Sequence, residues 1–144
     1  MDEAHTISRR QARRDAMVVL YQHDITGAAP EELYNSLRKE RGHEASAFTR
    51  DVVEGVLADV GELDAEIDVH AIGWPAHRMA ALERNILRIG LYEIRKRGDI
   101  PVEVSIDEAV RLSKRFCSRE AAALINGILG KVAEEERGAP EDDN

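Results

Sequence analysis

The chain has 144 residues, 43% of them hydrophobic and 33% charged, with a formal net charge of −8. No apolar run reaches the length of a membrane-spanning helix, and the N-terminal MDEAHTISRR carries acids where a secretory signal would need an apolar core. Cys117 is the single cysteine, which excludes an intramolecular disulfide framework and points to a reducing, cytoplasmic setting for one domain or two small subdomains.

Helical periodicity dominates the whole length. Residues 1–7 read as a flexible N-terminus. Ser8 is a good N-cap for a first helix to Ile25, closed by Thr26-Gly27. A second helix begins at Pro30, with Glu31 and Glu32 in its first turn, and stops near Gly42. Phe48, Val52, Val53, Val56, Leu57 and Val60 recur at helical spacing over a third, about 44–60. Gly61 reads as a break before a fourth helix carrying Leu63, Ile67 and Ala71. Gly73-Trp74-Pro75 reads as a turn, and a fifth helix is expected from about Pro75 to Arg97, lined by Met79, Leu82, Ile86, Ile89 and Ile94. DIPVEVS reads as a connector, and Ser105 with Glu108 as an S-x-x-E capping box for a sixth helix over 106–116. Ser118 caps a seventh, to about Arg137, and 138–144 reads as a disordered acidic tail. The expected fold class is all-α, about seven helices in a bundle, with the Gly-Trp-Pro turn as the seam between subdomains of about 8–72 and 75–137.

The charge is unevenly spread. Residues 9–14, 84–97 and 111–119 hold 13 of the 20 basic residues, whereas 40–70 carries nine acids against two arginines. A basic face can therefore survive on an acidic body, and nucleic-acid affinity follows local phosphate contacts rather than total charge. Signs of catalysis are missing: there is no H-E-x-x-H, C-x-x-C, Walker A loop or G-x-G-x-x-G. The five histidines share no metal-ligand spacing. Lys114, Arg115 and Arg119 could lower the pKa of Cys117, but no base accompanies it. No catalytic residue, metal or cofactor is expected.

The stretch RRQARRDAMVVLYQ is more informative. At about 100° per residue, Ala12, Ala16, Val19 and His23 form the stripe expected to face the core. Arg10, Arg14, Met17 and Tyr21 share another face, and Arg9 and Arg13 sit on the border. Arginines at a helix N-terminus oppose the macrodipole, so local helix stability does not explain them. Arginine donors suit phosphate, and an exposed tyrosine suits an unpaired base. Together they suit single-stranded RNA; a solvated arginine face with a packing tyrosine is the alternative. On the fifth helix, LERNILRIGLYEIRKR places Gly90 in mid-helix, for close helix packing or for a partner surface.

RRQARRDAMVVLYQ, LERNILRIGLYEI, PVEVSIDEAVRLSKRF and INGILGKV, in this order, resemble the transcription antitermination factor NusB family over residues 8–133. The resemblance implies an all-helical protein of two subdomains that is not an enzyme. It implies binding to boxA RNA of ribosomal operons together with NusE, a small-subunit ribosomal protein, in an elongation complex with RNA polymerase and other Nus factors. It carries RNA contacts over to Arg9, Arg10, Arg13 and Tyr21, with Arg14 beside them on the same face. A second RNA group falls on Lys114, Glu120, Leu124 and Asn126. A NusE contact falls on Glu83, with Arg84, Arg88 and Tyr92 as neighbours. Arg14 stands where relatives often carry an acid, and Leu124 where some carry an aromatic. Other readings are a protein-interaction adaptor, or the RNA-binding domain of a ribosomal-RNA methyltransferase without its catalytic domain. Monomer and homodimer both remain open.

Overall fold

A computed structural model describes residues 7–138. Residues 1–6 and 139–144, which contain most of the expected flexible N-terminus and acidic tail, lie outside the described residues. The elements in order are α1 (Arg9–Thr26), α2 (Pro30–Arg41), α3 (Ala47–Ala58), α4 (Val60–His70), a short 3-10 turn (Ala76–Arg78), α5 (Ala81–Lys96), α6 (Val102–Phe116) and α7 (Arg119–Gly138). The described residues contain no strand, so the all-α expectation holds.

Several helix ends follow from local chemistry. The Gln11 amide donates to Ser8 Oγ at 3.0 Å and starts α1. Gly27 ends it at φ 76°, a left-handed conformation that glycine adopts without a Cβ clash. Pro30 and two glutamates open α2. Ser46 Oγ accepts from the Thr49 amide at 3.1 Å and Ser118 Oγ from the Ala121 amide at 3.0 Å, starting α3 and α7.

The chain divides into two compact units, one up to Ala58 and one from Asp59. The division falls between α3 and α4, not at the Gly-Trp-Pro turn. In the first unit α1 packs on both α2 and α3. Its core contains Ala16, Val19, Leu20, Leu37, Val52, Val53 and Val56. In the second unit α5 packs against α4, α6 and α7, and every residue from Asn85 to Ile94 is buried. A Cβ on Gly90 would stand 2.7 Å from Leu129 Cδ1. Glycine at this position lets α5 and α7 approach closely, and its cost in helix propensity, about 1 kcal/mol, is met by that packing.

Two expected boundaries move. The fifth helix does not begin at Pro75. Pro75 is extended (ψ 154°) and leads into the 3-10 turn, and α5 begins only after Ala80. The Arg84 guanidinium holds this turn by donating to the carbonyl oxygens of Ala76 (3.1 Å) and Met79 (2.9 Å). The sixth helix begins earlier, at Val102, because Pro101 as N-cap already has a helix-compatible φ of −58°. The PVEVS stretch is therefore its first turn and not a connector, and Ser105 caps nothing. Ser105 Oγ instead donates to Glu93 Oε1 at 2.7 Å, with both residues buried.

The worth of this bond is measurable. Ser105→Ala removes a donor from a buried carboxylate and lowers stability by about 1–3 kcal/mol, read as a drop in the urea midpoint at unchanged slope.

Candidate nucleic-acid interface

The first unit presents the arginine-rich start of α1. Thr49 Oγ1 on α3 donates to the buried Ala12 carbonyl at 3.0 Å, fixing the two helices at this point. Asp15 is fully buried on α1 and gathers three partners. Gln11 Nε2 and His43 Nε2 each donate to it at 2.9 Å, and Arg41 Nε lies 3.6 Å away. The loop after α2 is thereby tied to α1. Arg9 Cζ lies 4.2 Å and Arg13 Cζ 5.3 Å from the centroid of the Phe48 ring.

The helical projection is only partly realised. Arg9 and Arg10 are exposed, and Tyr21 is 36% exposed. Met17, expected on the same face, is buried, and Arg13 is only 3% exposed. Arg14 is half-buried. Packing of α1 against two helices widens its buried sector beyond the Ala12–Ala16–Val19 stripe. Ile25, one turn beyond Tyr21, is also exposed.

In the second unit Lys114 is exposed in the last turn of α6, Glu120 and Asn126 are exposed on α7, and Leu124 is half-buried. Cys117 lies at the junction of these helices. Burial, then the nearby Glu83 carboxylate, pushes its thiol above the ordinary value. The neighbouring cations do not activate it.

Three of the four residues expected to face a partner on the fifth helix have roles inside their own unit. Arg88 is buried, donates to both Asp64 oxygens at 2.8 and 2.7 Å, and also reaches Asn85 Oδ1 at 3.1 Å. Tyr92 is buried, and Arg84 is committed to the 3-10 turn. These three side chains build the unit because α5 runs through its core. Of the four expected residues, Glu83 alone stays half-buried without such a role; its Oε1 is buried and has no hydrogen-bond partner.

A cluster not foreseen from spacing joins α4, α5 and α7. Ligand atoms of Glu66, His70 and Glu135 lie within 4.8 Å of one another. Arg95 donates to Glu66, and to Glu136 at 2.5 Å and Glu135 at 3.3 Å. The Glu66 hydrogen bond, against desolvation, raises the guanidinium pKa further. Arg95 bridges these carboxylates in an ion-pair network. Three contributing helices are far apart in sequence, which hides it from any local motif.

This fold, with an arginine-rich first helix on an all-α body, is that of the transcription antitermination proteins. The NusB family model matches residues 10–134. The chain is 41% identical to transcription antitermination protein NusB of Rubrobacter xylanophilus over 140 residues, covering 92% of this chain and 100% of that protein. It is 39% identical to the NusB of Myxococcus xanthus, covering 88% and 94%. Among solved structures, T. maritima NusB superposes with a TM-score of 0.82 at 29% identity, covering 94% and 96%. A structure of the antitermination factors NusB and NusE in complex with dsRNA superposes with a TM-score of 0.78 at 26% identity, covering 88% and 96%. The chain belongs to the NusB family.

The structural role of Arg88 is testable. Arg88→Ala leaves Asp64 without its bidentate partner and lowers stability by about 2–3 kcal/mol, measured by denaturant titration. An unchanged midpoint with weakened partner binding would return Arg88 to the surface.

Proposed function

We propose that the chain is an RNA-binding transcription antitermination factor. It binds boxA RNA of ribosomal operons together with NusE and promotes read-through by RNA polymerase in a complex with other Nus factors. It acts by binding, with no bond made or broken. Family membership and the likeness to a NusB–NusE–dsRNA structure support this reading. The observation on this chain that carries it is the exposure of Arg9, Arg10 and Tyr21 on one helix.

Arg10 and Tyr21 are eleven residues apart, about three turns and roughly 16 Å along the axis. One extended strand of RNA can meet a guanidinium and an aromatic face at that separation. The arginine contributes charge-assisted bonds to phosphate, and the tyrosine a stacking surface for a base. Arg13 and Arg14 are less exposed and lie behind this edge. Lys114, Glu120 and Asn126, with half-buried Leu124, are a second RNA-facing group within their own unit. Glu83 remains the α5 residue open to NusE.

In anisotropy titrations with boxA RNA and NusE, replacing Arg9 and Arg10 by alanine weakens binding. It flattens the dependence of log affinity on log salt by about 0.7 for each single-strand phosphate that the protein no longer neutralises. Tyr21→Ala weakens binding by about 1–3 kcal/mol while leaving the salt slope and thermal midpoint unchanged. A fall in thermal midpoint without loss of affinity would make Tyr21 a packing residue only.

A further inference from the structure

Phe48 is one of two phenylalanines in the chain. It lies in the first turn of α3 and is 9% exposed. Leucine would also be apolar at this position. What leucine cannot do is attract a cation to its face, and two cations are placed there: Arg9 and Arg13, one helical turn apart on α1.

The contact differs in kind from those of Arg88 and Arg95 in the second unit. Arg88 and Arg95 are held by carboxylates that neutralise them. Arg9 is held by a neutral ring. Its side chain loses rotamer freedom, but among the described residues no acid takes up its N–H donors or cancels its charge. The ring itself is well fixed. Ser46 caps its helix, and the next residue, Thr49, is hydrogen-bonded to the Ala12 carbonyl beside Arg13.

We propose that Phe48 is a positioning residue for RNA binding: through its ring it holds the Arg9 guanidinium, backed by Arg13, in the orientation that receives a phosphate. The inference rests on the RNA-binding reading above.

The test uses the full chain with NusE and a labelled single-stranded RNA carrying boxA, with thermal midpoints recorded for each variant. Phe48→Leu weakens binding about two- to five-fold, the range of an exposed cation–π contact, and flattens the salt slope. Phe48→Tyr restores both. In an Arg9→Ala background Phe48→Leu has no further effect on affinity. Trifluorophenylalanine at position 48, which keeps the shape but weakens the negative face of the ring, reproduces the weakening even where leucine compromises folding. Wild-type affinity in the fluorinated variant, or a Phe48→Leu effect undiminished without Arg9, overturns the positioning role. Unchanged affinity in the Arg9→Ala, Arg13→Ala double variant instead overturns the RNA reading on which it rests.

Discussion

The Arg88–Asp64 ion pair sets the terms for the second unit. Helix α5 is buried along ten consecutive residues, two of them charged. A charge removed from water is tolerated only when a partner replaces its solvent. Asp64 on α4 meets Arg88, and Ser105 on α6 meets Glu93. These requirements fix which face of α4 and which turn of α6 must lie against α5. Gly90 then sets how near α7 can come. Apolar packing supplies the driving force, and the polar partners select one arrangement from the many that would bury Leu and Ile equally well.

The first unit applies the same rule with a different result. Asp15 is buried and met by Gln11, His43 and Arg41. Within two turns of it, Arg9 is met by a ring and stays in solvent. The helix thus has a neutralised interior and a charged edge. A polyanion can be bound by a chain of net charge −8 because such a ligand responds to potential within about a Debye length, roughly 8 Å at physiological salt, and not to the molecular total.

Helix number and type were legible because apolar spacing, capping serines and terminal glycines agree along most of the chain. The failures are specific. Ser105 and Glu108 match a capping box, yet Pro101 starts α6 one turn earlier and turns Ser105 inward. Met17 projects onto the arginine face, yet α1 is covered by two helices and Met17 is buried. Arg84, Arg88 and Tyr92 look like a polar surface on α5, yet that helix crosses a core. A helical wheel assumes one buried side, and both errors on α1 and α5 come from helices with neighbours on more than one.

The sequence by itself determined seven helices, a family, and a first helix whose arginines local helix stability does not explain. These depend on contacts a few residues apart, and on motifs long enough to be specific. Only the tertiary structure decided which arginines serve the fold and which face solvent. Arg88 and Arg95 meet carboxylates 24 to 41 positions away, and Arg9 meets Phe48 across a whole intervening helix. A guanidinium has the same intrinsic chemistry at every position. Whether it becomes an internal ion pair or a phosphate ligand depends on which partner the packing brings to it, and no local pattern contains that.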